Sequence, residues 1–248
     1  ISIATLDMDA TLVASEKEKA KFCYKGYKAY QPFNTYWAEQ DLIVHSEFRD
    51  GNVPAGFEQK RVFEEALKQL PDGVEKVYLR SDTAGYQHDL LKYCANGDHE
   101  KFKVIEFAVG ATMSAALRQA VEEVSGEDWQ PLPQSQQEWA EVCFVPTSIG
   151  RSKNGPEYRY VAVREPLQQE QLPGIEEEQT LPFPTMDFGD KGSYKVTAIV
   201  TNRDLDGPEL IQWYRNRCGK SEEVHSIMKG DLAGGRLPSG DFGENAAW

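Results

Sequence analysis

In residues 214–229, YRNRCGKSEEVHSIMK, Glu222 and Lys229 lie seven positions apart. On an α-helix that is two turns, so both side chains fall on one face with His225 between them. A carboxylate so placed can hold a divalent cation, and Arg217, Lys229 and Tyr214 can hold phosphate oxygens. The pattern suits a phosphodiester site, although a surface helix with ordinary ion pairs has the same composition. Two other stretches end on acids. ISIATLDMDAT (1–11) reads as a buried strand running into Asp7 and Asp9, with Ile3, Thr5, Asp7 and Asp9 on one face and Leu6 and Met8 on the other. VEKVYLRSD (74–82) reads as a strand ending on Asp82. A pair of divalent ions needs shared oxygen ligands, and Mg²⁺, with Mn²⁺ as its usual substitute, prefers carboxylate and water. Asp9, Asp82 and Glu222 are of the right type and are the expected catalytic and metal-holding residues.

The intervening chain supplies the elements that must bring these acids together. KFCYKGYKAYQPF is an alternating aromatic stretch around Gly26, and DLIVHSEFRDGN (41–52) is a strand closed by a turn. With the first strand they suggest an antiparallel meander. Residues 54–70 carry an apolar stripe at helical spacing, including Phe57, Val62, Phe63, Ala66 and Leu67, and Asp72-Gly73 ends it. Further on, helices are expected over 86–95 and 114–124, and strands over 102–110 and 194–202. One long helix then carries the opening segment, capped by Asp204 or Asp206. Residues 129–192 differ in composition: Pro-, Gln- and Glu-rich loops surround two strands, WAEVCFVPT and EYRYVAVREP, and the Glu run at 176–178 reads as a solvated loop. This order predicts one ribonuclease H-like α/β domain over 1–248. Its sheet is mixed, with the first and fourth strands as neighbours, and a β-rich insertion at about 129–192 precedes the last helix.

Composition sets bounds. The chain of 248 residues is 40% hydrophobic, enough for a packed core rather than disorder. No apolar run approaches 18 residues, so no membrane span is expected. Cys23, Cys94, Cys143 and Cys218 are far apart without a CxxC pair, which reads as reduced, buried thiols in a cytoplasmic protein and not as a zinc site. The formal net charge of −13 argues against a nucleic-acid binder, because phosphate contacts need cations. A metal site concentrates acids, however, and the start at ISIATLDMD and end at FGENAAW read as cuts from a longer protein that could carry basic surface elsewhere.

At this point the chain resembles the DDE transposases of bacterial insertion sequences, over nearly its whole length. TLDMDAT is similar to the family's first-Asp strand and selects Asp9; VYLRSDTAGY is similar to its second-Asp segment and selects Asp82. The helix segment resembles the Tyr-Arg-Glu-Lys signature and selects Tyr214, Arg217, Glu222 and Lys229, while RDGN (49–52) adds Arg49 as a DNA-backbone contact. The resemblance implies metal-dependent strand cleavage at transposon ends and strand transfer by cut-and-paste. DNA would be the partner, and the protein would self-associate in a synaptic complex. One departure concerns spacing: the signature places Glu four residues after Arg, where this chain has Ser221. A one-residue bulge near Cys218-Gly219 would reconcile Arg217 with Glu222, the Glu-to-Lys spacing favouring Glu222 over Glu223. Two alternatives stand beside this reading. LDMDATL also fits the nucleophile motif of haloacid-dehalogenase-type phosphatases, with Asp7 attacking and Asp9 as acid and base; that requires a parallel doubly wound sheet. The other is a catalytically inactive, DNA-binding transposase remnant.

Overall fold

The computed structural model describes residues 2–146, 158–167, 184–189, 192–231 and 234–247. The chain divides into two compact units, residues 1–109 with 213–248, and residues 110–212.

The first unit begins with β1 (Ile3–Ala10), in which Ala4, Leu6 and Met8 are fully buried on one face and Thr5 and Asp7 on the other. Both faces are covered, as expected for a central strand. A small separate sheet follows, built from β2 (Val13–Ala14), β3 (Lys21–Phe22) and β4 (Lys28–Tyr30) in the order β2-β4-β3. The aromatic stretch around Gly26 is thus a hairpin set apart from the main sheet. The strand beside β1 is instead β5 (Phe33–Trp37), buried throughout and antiparallel to it. β6 (Leu42–Glu47) pairs antiparallel with β5 across a register shift at Thr35/Tyr36.

α1 (Gln59–Lys68) buries Val62, Phe63, Ala66 and Leu67. It starts later than the apolar stripe suggests, because Glu58 is left-handed (φ 51°), and Phe57 stays 51% exposed. β7 (Lys76–Ser81) then runs parallel to β1, from Ile3↔Lys76 to Met8↔Ser81. α2 (His88–Asn96) ends at Gly97, and β8 (Glu106–Ala111) pairs parallel with β7. The sheet is therefore mixed, with first and fourth main-sheet strands adjacent, as the element order predicts. The fully parallel sheet that the phosphatase alternative requires is not present.

In the second unit Ser114 caps α3 (Ala115–Glu122), its Oγ accepting from the Leu117 N–H at 3.2 Å. β9 (Gln130–Pro131), β10 (Glu138–Val142), β11 (Arg159–Pro166), β12 (Thr185–Asp187) and β13 (Ser193–Thr201) pair antiparallel with one another in the order β9-β10-β11-β13-β12, β11 and β13 being paired from Arg159↔Thr201 to Pro166↔Tyr194. Arg164, 2% exposed, is held by Glu138 and by the faces of Trp129, Phe188 and Tyr194, 4.1–4.9 Å from the guanidinium carbon. The Glu run at 176–178 lies outside the described residues.

The single long final helix expected from the sequence is two helices, α4 (Gly207–Arg215) and α5 (Lys220–Lys229). Residues 216–219 turn between them, with Gly219 at φ 88°, a conformation that side chains disfavour. α6 (Phe242–Ala247) closes the described chain. Cys23 and Cys94 are buried, whereas Cys143 and Cys218 are exposed, so only half of the thiols meet the expectation of burial. Among the described residues no helix is long and apolar enough to cross a membrane.

Candidate active site

β1 and β7 end side by side. Met8↔Ser81 is their last registered pair, and Asp9 and Asp82 follow it by one residue each. The period of two along each strand puts both on the same face as the registered pair Asp7↔Arg80. That pair is closed: Arg80 Nε and Nη2 donate to the two Asp7 carboxylate oxygens at 2.6 and 2.7 Å, and Nη1 donates to the Trp213 carbonyl at 2.7 Å. Both side chains are at most 4% exposed. Asp7 is therefore saturated by a fork-to-fork contact and does not present a free nucleophile, which removes the phosphatase assignment.

Asp9 and Asp82 remain open to a cleft of about 540 Å³, lined also by Phe22, Tyr24, Gln31 and residues 51–55. Asp82 Oδ1 accepts from the Ala84 N–H at 2.9 Å and caps the turn Thr83–Gly85. Asp9 Oδ1 accepts from the Ala10 N–H at 3.0 Å. Burial, reinforced by Asp82 and opposed by Arg217, pushes the Asp9 carboxyl up to about 6. His225 on α5 is 9% exposed, with Nδ1 3.9 Å from Asp9 Oδ2, and burial together with Lys229 drives it down to about 4. Neutral imidazole therefore stands beside Asp9 at neutral pH. At the C-terminal end of α5, Lys229 Nζ donates to Thr11 Oγ1 at 2.5 Å. α5 is also seated by Asn34 of β5, the registered partner of Asp9, whose amide reaches Met228 Sδ at 3.8 Å and accepts from Ser46.

Arg217 lies in the 216–219 turn, with its guanidinium 5.6 Å from the Tyr214 ring centre. Burial works against its charge, but Tyr214, Cys218, Asp9 and Asp82 outweigh it and hold the group protonated. Its Nε has no hydrogen-bond partner among the described residues. Burial raises the Tyr214 hydroxyl's pKa. The turn also accounts for the five-residue Arg217-to-Glu222 spacing, since the two residues do not share one continuous helix. Glu222 belongs to α5, but its side chain lies outside the described residues. Glu223 is exposed. Arg49 is placed differently from the other predicted cations. It is 4% exposed, bonded to Glu47 at 2.7 Å, with its guanidinium 4.7 Å from the Phe33 ring centre. Asn34, Gln31 and the hairpin aromatics carried no signal in the sequence that tied them to the acids.

Among the described residues no group of three or more His, Cys, Asp and Glu gathers as a metal site. The two that do converge fit a divalent cation. Both are hard oxygen donors at one sheet edge, and burial disfavours the charged form of Asp9, a penalty that a bound cation would offset.

The opposed shifts of Asp9 and His225 predict a specific pH response in metal-free protein. The raised Asp9 pKa means that the fold loses stability as pH rises from about 4 to about 6, by about 3 kcal/mol in total. The depressed His225 pKa means that the fold loses a similar amount as pH falls from 6.5 towards 4. The two contributions have opposite signs. Relative to the wild type, Asp9→Asn should be stabilised more at pH 6.5 than at pH 4.5, and His225→Gln the reverse. Urea midpoints in EDTA at the two pH values measure this; parallel shifts in both variants would contradict it.

A mixed α/β unit with carboxylates at the ends of adjacent parallel strands, flanked by a helix bearing cations, defines the class to which the comparisons point. The family described as "Transposase DDE domain group 1" matches residues 2–248, and the chain belongs to it. No curated protein matches it in sequence. Among solved structures it is similar to one described as "Cryo-EM structure of piggyBac transposase synaptic complex with hairpin DNA", with TM-score 0.51 and 10% identity, covering 92% of this chain and 41% of that one. At that identity the likeness concerns the fold, which is the ribonuclease H-like mixed α/β kind expected from the element order. The chain spans less than half the length of that neighbour.

Proposed function

We propose that this chain is the catalytic domain of a DNA transposase that cleaves strands at transposon ends and joins them to target DNA by cut-and-paste. The observation that carries this reading is the convergence of Asp9 and Asp82 at adjacent strand ends within one cleft. Asp9 and Asp82, with Glu222 from α5, would hold Mg²⁺ or Mn²⁺. Such ions, when bound, lower the pKa of an attacking water or 3′-hydroxyl and offset charge on the leaving oxygen.

The protein's own groups do the remainder. Arg217, with an unpartnered Nε, and Lys229 are placed to receive phosphate oxygens, and the Tyr214 ring beside Arg217 would help to orient it. Lys229 is held by Thr11, the residue two beyond Asp9, which ties the cation to the segment that carries the first acid. Neutral His225 packs against Asp9 without competing for the cations that the carboxylate attracts. The finer placement in the insertion-sequence branch rests on Tyr214, Arg217, Glu222 and Lys229. DNA as partner, self-association on paired ends and action in the cytoplasm belong to the same proposal; Arg49 would contribute through the loop it anchors.

The test uses full-length protein and a plasmid carrying the DNA ends that flank its coding sequence. Mg²⁺ or Mn²⁺ should release a fragment with 3′-hydroxyl ends and then yield strand-transfer products, and EDTA should stop both. Intact plasmid under all metal conditions would remove the reading.

A further inference from the structure

The small β2-β4-β3 sheet carries features that the chemistry above does not use. Residues 17–28, KEKAKFCYKGYK, hold five Lys and one Glu in a chain of net charge −13. Lys21 and Lys25 are exposed, and the Lys25 ammonium is 5.8 Å from the Tyr24 ring centre. Cys23 is 5% exposed, whereas Phe22 and Tyr24 on either side of it are 64% and 78% exposed. The turn is tight: Cys23 N–H donates to the Tyr27 carbonyl at 2.8 Å, Gly26 N–H to the Cys23 carbonyl at 3.0 Å, and Gly26 takes φ 81°. Gly51 fixes the hairpin's seat. A Cβ there would stand 2.3 Å from the Ala29 carbonyl oxygen and 2.8 Å from that of Lys21, so the 49–52 turn can lie against the hairpin backbone only with glycine at that position. Phe22 and Tyr24 line the same cleft as Asp9 and Asp82.

Exposed aromatic rings cost solvation unless something covers them, and a lysine-rich setting selects an anionic occupant. An unpaired nucleotide meets both demands, with a base for the rings and a phosphate for the ammonium groups. We propose that the β3–β4 hairpin is a stacking platform: Phe22 and Tyr24 receive an unpaired base of the DNA strand whose phosphate lies at Asp9 and Asp82, and Lys21 and Lys25 hold the flanking backbone. This rests on the transposase reading and adds to it a specificity for locally unpaired DNA.

The test compares full-length wild type, Phe22→Ala, Tyr24→Ala, Tyr24→Phe and the double variant Lys21→Ala/Lys25→Ala. Each is titrated with a blunt duplex and with the same duplex carrying a three-nucleotide 3′ overhang that contains 2-aminopurine. Nicking of supercoiled plasmid with Mn²⁺ is followed in parallel. Wild type should quench the 2-aminopurine and prefer the overhang by about tenfold, within the range of one base–aromatic stack. Either alanine variant should lose most of the quench and the preference, Tyr24→Phe should keep both, and the lysine variant should weaken binding to both duplexes alike. Wild type that nicks plasmid but shows neither quench nor preference overturns the platform alone. Wild type that neither binds nor nicks overturns the transposase reading beneath it. If the alanine variants keep the quench but lose self-association in sedimentation, the surface serves a second copy of the chain and the platform is wrong.

Discussion

On the proposed reading, Asp9→Ala and Asp82→Ala should each abolish metal-dependent strand cleavage, by about 10³-fold or more, while the protein stays folded. The magnitude follows from the several kcal/mol of charge stabilisation a bound divalent ion supplies, at about 1.4 kcal/mol per tenfold in rate. Stability separates this outcome from simple damage. Asp9 is a carboxylate that burial disfavours in its charged form, so its removal leaves the metal-free fold equally or more stable. Asp82 also caps the Thr83–Gly85 turn, so its alanine variant loses about 1 kcal/mol. Asp82→Asn keeps an acceptor for the Ala84 N–H and should recover that stability without recovering cleavage. Activity and stability then move independently, as expected for groups held in place for chemistry. Single-turnover cleavage of an end-bearing substrate with Mg²⁺, alongside thermal melts, reads both. Cleavage by Asp82→Asn within tenfold of wild type would end the two-carboxylate assignment. In the same assay, full activity of Glu222→Ala would move the third ligand to Glu223.

The convergence of Asp9 and Asp82 was legible because it depends on local pattern and simple topology. Each acid ends a strand whose alternation is visible, and neighbouring parallel strands must bring their ends together. The break between α4 and α5 left only a trace, the extra residue between Arg217 and Glu222 beside Gly219, because helical periodicity on either side masks a four-residue turn. The hairpin at 21–30 could not be separated from the main sheet, since alternation of Lys and aromatics describes a strand in either. Arg49 reads from the sequence as a DNA-backbone contact beside an Asp-Gly-Asn turn; its burial depends on Glu47 and on Phe33, sixteen residues back, which that local pattern does not reveal. Asp7 and Arg80 are 73 residues apart, and no single-sequence pattern gives the register that joins them.

That register carries the other large expected effect. Asp7→Ala leaves the Arg80 guanidinium buried with only the Trp213 carbonyl as an acceptor, and Arg80→Ala strands the Asp7 charge. Breaking one side of a buried, hydrogen-bonded pair costs about 3–5 kcal/mol, which for a chain of this length lowers the melting midpoint by roughly 6–20 °C. Much of that cost is the orphaned charge and not the lost attraction. Removing both partners should therefore cost less than either single change: Asp7→Leu/Arg80→Met should melt closer to wild type than Asp7→Ala does. Cleavage should still fall in the double variant, because Arg80 ties β7 to the Trp213 backbone just before Tyr214 and Arg217, and so aligns the strand that ends on Asp82 with the turn that bears Arg217. Thermal melts of the three variants, each with a cleavage assay below its melting range, separate these roles. Additive destabilisation in the double variant would mean that the pair contributes through packing of its separate halves. Wild-type cleavage there would mean that the acids at the strand ends are positioned without it.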